Sequence, residues 1–312
     1  MKLVFCGTPQ FAVPTLEALH RAGHQIVLVV TQPDRPKGRG MELAASPVKQ
    51  KAEELGLPIT QPEKIKTNAD FRSKLEALAA DCIIVVGYGR IIPRWMLDLP
   101  KFGNINLHAS LLPKYRGAAP IQWAIASGEI VTGNTTMLLN EGLDTGDVLV
   151  QREMAIGPDA TSVTLAPPLA VMGAELVIET LDGLEHELIV PIPQEHERHT
   201  LAPILTKEDA RIAWSRTAQE IFNRFRGFQP WPGAYTIFRG KQLSLHAMRP
   251  LPSGESVLSE GELAIECERL IVGCGQGSAL EILELQLEGK KRMTARDLIN
   301  GYQLKAGEKL GR

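Results

Sequence analysis

The sequence predicts an α/β protein: a doubly wound, mostly parallel sheet, followed by a smaller and mostly β unit. Three observations carry that prediction. Short β-branched runs in the first half are apolar on both faces, as strands are when helices cover both sides of a sheet. Helix-like segments separate those runs, the alternation expected of parallel βαβ units. Beyond residue 206 the pattern changes to closely spaced strands with Gly-containing turns, for which a small barrel is the natural closure.

The first run, LVFCG (3–7), leads into an amphipathic stretch, VPTLEALHRAG, that ends at Gly23. QIVLVVT (25–31), a helical VKQKAEELG (48–56) and DCIIVVGYG (81–89) follow. NINLHAS (104–110), a helical APIQWAIASG (119–128) and NTTMLLN (134–140) complete the first half. The opening strand runs into GTPQF and not GxGxxG, so nothing argues for a dinucleotide. HELIVPIPQEHERHTLAPILT (186–206) has three prolines and no sustained period, and reads as a linker whose His196 and His199 are solvated. The expected division is therefore 1–188, a linker at 189–206, and 207–312. In the last part, TAQEIFNRFRGF (217–228) reads as a helix, and AYTIF-RGK-QLSLHAM as a hairpin with a three-residue turn. GELAIECE, RLIVGCG and ALEILELQLEG read as further strands, with GCGQG (273–277) a hairpin turn between two of them.

With 312 residues, 44% of them hydrophobic and 22% charged, the chain is long enough for two cores. The opening MKLVFCGTP is too short for a signal peptide, and no apolar run approaches the roughly 18 residues of a spanning helix. A cytoplasmic protein without membrane contact is expected. Four scattered cysteines with no CxxC spacing read as small apolar residues in a reducing compartment. Residues 207–312 hold 16 Lys+Arg and 13 Asp+Glu, against 18 and 23 in the remainder. That basic excess is compatible with a polyanionic partner.

The segment NINLHASLLPKYRG (104–117) carries the first candidate chemistry. Strand alternation sends Asn104, Asn106, His108 and Ser110 to one side, and Ile105, Leu107 and Ala109 to the other. An amide and an imidazole on one face at a strand end are either a polar terminus bonded to loops or a reactive site. Spacing alone leaves both open. Pro113 and Gly117 bracket a tight loop whose backbone amides could cradle a ligand, with Lys114 and Arg116 either solvated or meeting an anion. A second stretch, LNEGLDTGD, sets Asp144 and Asp147 between glycines, as a capping turn or a site of close backbone approach. It lacks a calcium-loop pattern and a His cluster, so no metal is expected.

Taken together, Asn106, His108, the SLLP of 110–113 and Asp144 within GLDTGD closely resemble the folate-dependent formyltransferases. FCGTPQFAVPTLEAL, TQPDRPKGRG (31–40), SPVK (46–49), RGAAPIQWAI, LTKEDARIAWS, GFQPWPGAYT and GKKRMTARDLINGYQLKAGEKLG extend the likeness over nearly the whole chain, toward the branch that acts on methionyl-tRNA. The resemblance implies a Rossmann-like catalytic domain and an OB-like C-terminal barrel. It implies 10-formyltetrahydrofolate as co-substrate without a metal, and initiator methionyl-tRNA as acceptor, with a monomer expected. His108 would be acid and base, Asn106 the oxyanion donor and Asp144 the group that orients and tunes His108. Ser110, Leu111, Leu112 and Pro113 would shape the folate pocket. Arg35, Lys37 and Arg39 in the Pro33–Gly40 loop would reach the tRNA acceptor stem, and Lys290, Lys291 and Arg292 would add backbone contacts.

Three positions depart from that pattern. Met41 and Glu42 follow the GRG where basic residues are usual, Ala213 replaces an acidic residue, and TLAPPLA (164–170) stands where a helix is usual. The two prolines place the expected helix start near Pro167 or Pro168. Two other readings are a formyltransferase for a small amine such as an amino-sugar nucleotide, and a non-catalytic RNA-binding protein on the same scaffold. The basic loop and the C-terminal ending favour tRNA over the sugar, and the intact Asn106, His108 and Asp144 argue against the non-catalytic protein.

Overall fold

The computed structural model describes residues 1–37, 42–252 and 258–311. Two compact units emerge, neither contiguous in sequence: Met1–Pro120, Val131–Ala155 and Thr164–Pro203 form one, and Ile121–Ile130, Ile156–Val163 and Ile204–Arg312 the other.

The first unit is built on strands β1 (Lys2–Gly7), β2 (Gln25–Val30), β3 (Arg35–Lys37), β4 (Glu42–Ala44), β5 (Ile59–Thr60), β6 (Cys82–Val86), β7 (Asn104–His108), β8 (Val131–Leu138) and β9 (Val148–Ala155). Seven of them form one sheet in the order β5-β2-β1-β6-β7-β8-β9. The pairs from β5 to β7 are parallel, whereas β8 and β9 run antiparallel. The helices before the second unit's own are α1 (Val13–Arg21), α2 (Pro47–Glu54), α3 (Ala69–Leu78), α4 (Arg94–Leu97), α5 (Pro120–Ala126), which from Ile121 belongs to the second unit, and α6 (Ser162–Glu185).

Alternation along β1 shows the double winding. Leu3 and Phe5 pack with Leu16 and Leu19 of α1, Ala52 of α2 and Val177 and Leu181 of α6. Val4 and Cys6 pack with Phe71 and Leu75 of α3 and Met96 of α4. Each fully buried Val, Leu, Phe or Met among them stabilises the fold by about 1.5–3 kcal/mol relative to exposure. Local signals set the helix starts: Ser46 accepts from Lys49 N ahead of Pro47, and Asn68 accepts from Phe71 N.

Helix α6 differs from expectation in two ways. It begins at Ser162 and runs through Pro167 and Pro168, not from them. At 24 residues it is also long and apolar enough to cross a membrane, although half of its most apolar stretch is buried against the rest of the protein. The basic loop differs too. Arg35, Pro36 and Lys37 pair antiparallel with Ala44, Leu43 and Glu42, so a two-stranded hairpin roots the basic loop. Asp34 anchors that root, accepting from Lys49 Nζ at 2.6 Å and Gln61 Nε2 at 2.7 Å.

The second unit holds α7 (Ala218–Gly227), β10 (Tyr235–Phe238), β11 (Lys241–Pro250), β12 (Leu263–Glu266), β13 (Arg269–Gly273), β14 (Ala279–Leu287), β15 (Met293–Thr294) and α8 (Ala295–Tyr302). Its strands form an antiparallel half-barrel ordered β10-β11-β14-β13-β12, with β15 beside β14. The turn between β10 and β11 contains two residues, not three: Phe238 pairs with Lys241, and Arg239 and Gly240 both take positive φ. A bulge near Ala247 shifts the inward set of β11 from Leu243 and Leu245 to Met248. Capping boxes at Thr217–Glu220 and Thr294–Asp297 start α7 and α8.

This unit also takes in the middle of the chain. Trp123 of α5 meets Phe228 edge to face at 5.3 Å, and the Arg224 guanidinium lies over both rings. Gly227 has no side chain because a Cβ would fall 2.5 Å from the Gln122 carbonyl.

Candidate active site

Strand β7 positions the first two candidates. Ile105 and Leu107 lie in the sheet core, while Asn104, Asn106 and His108 alternate with them and are buried as well. Asn104 serves the fold, its Nδ2 donating to the carbonyls of Met96 and Leu97 at the end of α4. The Asn106 side chain meets no hydrogen-bond partner among the described residues, though it is only 9% exposed. Its amide is therefore free to meet a group that enters from outside the strand.

His108 is held at one nitrogen. Its Nε2 lies 2.9 Å from the Tyr115 carbonyl oxygen, which can only accept, so Nε2 carries a hydrogen. In the neutral ring Nδ1 is then an open lone pair. It lies 3.7 Å from Asp144 Oδ2, within ion-pair distance of the carboxylate when the ring carries a proton there.

Asp144 reaches this point by an indirect route. Because β8 runs antiparallel to β7, the chain leaves it beside the start of β7, where Leu139 N donates to Asn104 O at 2.7 Å. The loop then folds back along β7 and returns to the sheet where Leu138 N donates to Asp147 O at 2.9 Å. Gly146 permits that return, since a Cβ there would sit 1.7 Å from the Leu138 carbonyl oxygen. Asp144 itself has φ +50°, a left-handed conformation uncommon outside Gly, Asn and Asp. Its Oδ2 accepts from Gly117 N at 2.8 Å, so the loop at 110–117 holds both partners of the pair.

That loop is preformed. Ser110 Oγ donates to Lys114 O at 2.6 Å, closing the turn. Thr135 Oγ1 donates to Ser110 O and accepts from Leu112 N and Gln151 Nε2, while Gln151 also donates to Leu112 O. The Leu112 amide is thus already engaged, and the side chains of Leu111 and Pro113 are half-buried.

Arg116 is buried, not solvated. Its guanidinium donates to Gln194 Oε1 from Nε at 3.1 Å and Nη2 at 2.6 Å, and Nη2 donates to His196 Nδ1 at 3.1 Å. Burial pushes this guanidinium below its ordinary value, and the Asp144 carboxylate opposes the shift. The segment read as a linker is therefore part of this site. Thr200 accepts from Tyr115 N and Arg116 N, and Ala202 N donates back to Arg116 O. Tyr115, Gln194 and Thr200 carry no sequence signal of their own, since their partners lie far away in the chain.

The remaining candidates lie elsewhere. Arg35 is exposed on β3, Lys37 is described here only by its backbone pairing with Glu42, and Arg39 lies outside the described residues. Within the second unit, Lys290, Lys291 and Arg292 are exposed between β14 and β15, with Arg292 paired to Glu284. Among the described residues no cluster of three or more His, Cys, Asp or Glu side chains could hold a metal.

Comparison with known proteins adds an independent line. Residues 1–181 match the model of the formyl transferase family, and residues 204–303 match that of the formyl transferase C-terminal domain. A Koribacter versatilis protein named methionyl-tRNA formyltransferase is 65% identical over 312 residues, covering 100% of this chain and 99% of that one. An N-formyltransferase from Helicobacter canadensis, solved with folinic acid and dTDP-3-aminofucose, shares the fold with a TM-score of 0.64 at 16% identity, over 90% of this chain and 98% of that one. HypX from Aquifex aeolicus, solved with tetrahydrofolic acid, gives a TM-score of 0.59 at 18% identity over 99% of this chain, which spans about half (48%) of HypX.

Proposed function

The chain belongs to the formyl transferase family, and from that premise we propose that it transfers the formyl group of 10-formyltetrahydrofolate to the α-amine of methionyl-tRNA. The product is N-formylmethionyl-tRNA, which serves translation initiation in the cytoplasm, and the enzyme acts as a monomer. The observation that carries this reading is 65% identity across the whole chain to a protein of that name, including the second unit.

The folate supplies the formyl carbon and, at N10, the leaving nitrogen. Asn106 aims its amide N–H, which has no partner among the described residues, at the formyl oxygen as charge builds there, an interaction of about 3–4 kcal/mol in comparable oxyanion sites. His108, fixed through Nε2 by Tyr115 O, accepts a proton from the attacking amine at Nδ1 and returns it to N10. A C–N bond to methionine forms, the C–N10 bond breaks, and the proton balance closes within the site. Asp144 faces Nδ1 while the ring is charged. Leu111 and Pro113 offer apolar surface to the folate, within the loop that Ser110 and Leu112 hold in shape. Arg35, Lys37, Arg39, Lys290, Lys291 and Arg292 contact tRNA phosphates.

The test is incubation of the purified chain with formyl-labelled 10-formyltetrahydrofolate and either methionyl-tRNA or a nucleotide-linked amino sugar. Label is expected in the tRNA fraction. Label on the sugar and none on the tRNA would overturn the proposal.

A further inference from the structure

We propose that Gln194 is a positioning residue for the reaction: it holds Asp144 in register with His108 from the segment that follows α6. This inference rests on the site reading above and deepens it. Gln194 is 6% exposed, and all four hydrogen-bonding positions of its carboxamide are engaged. Nε2 donates to the carbonyl oxygens of Asp144 at 2.9 Å and Gly146 at 2.6 Å. Oε1 accepts from Nε and Nη2 of Arg116.

The geometry makes one side chain the cross-brace between the two loops that build the site. Arg116 immediately precedes Gly117, whose N–H holds the Asp144 carboxylate. Its neighbour Tyr115 supplies the carbonyl that holds His108. Gln194 therefore reaches both members of the pair, through the Asp144 backbone on one side and the Tyr115–Gly117 turn on the other. Its own backbone is tied down around it. Ile192 exchanges two hydrogen bonds with Val148, each 2.8 Å, and Thr200 and Ala202 pair with Arg116.

The left-handed φ of Asp144 gives the brace its purpose. A residue in that conformation relaxes easily unless its peptide groups are held, and the Gln194 amide holds the carbonyls of residues 144 and 146. Glutamate at this position would keep the acceptor for Arg116 and lose both donors. It would also set a carboxylate against two carbonyls. Gln194→Glu thus separates the tie to Arg116 from the tie to Asp144.

The experiment uses the full chain, with 10-formyltetrahydrofolate and methionyl-tRNA, and compares Gln194→Glu, Gln194→Met, Asp144→Asn and the Gln194→Met/Asp144→Asn double variant. Both Gln194 variants are expected to lower kcat at least about tenfold, with KM for either substrate within about threefold and an unchanged circular-dichroism spectrum. In the double variant, Gln194→Met should slow Asp144→Asn by less than about twofold, because both act through one carboxylate. Gln194→Glu with near-normal kcat overturns the proposal, as do effects of Gln194→Met and Asp144→Asn that multiply in full. Loss of the folded state in both Gln194 variants overturns it in favour of a purely structural tie. A fully active Asp144→Asn, or wild-type chain inert on methionyl-tRNA, removes the site reading and this inference with it. Slow Asp144→Asn beside fast Gln194 variants removes the inference alone.

Discussion

The Asp144 carboxylate stands 3.7 Å from Nδ1 of His108 through the same oxygen that accepts from Gly117 N at 2.8 Å. One oxygen therefore answers both to the ring and to the backbone that turns the loop. Replacement by asparagine keeps an acceptor for Gly117 and removes the charge, whereas alanine removes both. If charge opposite the ring is what matters, Asp144→Asn and Asp144→Ala should slow turnover alike, by at least about tenfold. Steady-state kinetics on both variants, with thermal unfolding as the folding control, make the check. An asparagine variant as fast as wild type would reduce Asp144 to a backbone anchor.

Asn106 sits two residues before His108 on the same face of β7, with its amide unpartnered among the described residues. Asn106→Ala should lower kcat by about 10²–10³, the usual effect of losing one oxyanion donor, with little change in KM. Because no hydrogen bond within the described protein is lost, the unfolding midpoint should hold. A large fall in stability with modest kinetic change would assign the amide to the fold.

If Lys290 and Lys291 contact tRNA phosphates, apparent tRNA affinity should fall steeply with salt while folate affinity barely changes. Lys290→Ala/Lys291→Ala should then reduce the slope of log affinity against log salt by about 2, one per lysine. Filter binding across a salt series reads this directly. An unchanged slope in the double variant would take these two side chains out of the interface.

Strand period two made much of this site legible in advance, because alternation alone separates Asn106 and His108 from Ile105 and Leu107. Asp144 was legible only through motif resemblance. Its loop leaves an antiparallel strand beside the wrong end of β7 and folds back, which spacing cannot reveal. The tie between Gln194 and Arg116 was invisible for a related reason: it joins residues 78 apart, and a proline-flanked Gln in a polar stretch reads as linker. The turn at Arg239–Gly240 is one residue shorter than the sequence predicts because Lys241 already belongs to β11. The β3–β4 hairpin has no strand pattern in the sequence because two prolines and two glycines lie within Pro33–Gly40.

In the second unit, Glu281 accepts from Arg249 Nε at 2.7 Å and Arg269 Nη2 at 3.1 Å, with a side chain only 7% exposed. Burial works to raise its carboxyl, but hydrogen bonds and charge from Arg269 and Arg249 outweigh it and hold the group below the ordinary glutamate range. A carboxyl depressed in the folded state contributes stability that is complete above its unfolded value of about 4.3 and disappears as pH falls through the folded value. Glu281→Gln should therefore cost about 1–3 kcal/mol near pH 7 and flatten the acid limb of stability. Urea unfolding between pH 7 and pH 3 compares the two proteins, and parallel curves would show that the carboxylate contributes nothing.

Pro167 and Pro168 lie inside α6 with their rings exposed. Neither nitrogen can donate to the carbonyl four residues back, and each ring crowds that turn of the helix. Both preceding residues, Ala166 and Pro167, are also pushed away from helical backbone by the ring that follows. Alanine is better than proline by about 3 kcal/mol within a helix, and the stiffer unfolded chain that proline gives offsets part of that difference. Pro167→Ala/Pro168→Ala should therefore stabilise the chain by about 2 kcal/mol and raise its unfolding midpoint by about 4–8 °C. The buried face, including Leu165, Leu169 and Ala170, is untouched by the change, so turnover should hold. Calorimetry on the double variant makes the measurement. A midpoint that stays or falls would mean that the prolines gain as much by stiffening the unfolded chain as they lose in the helix.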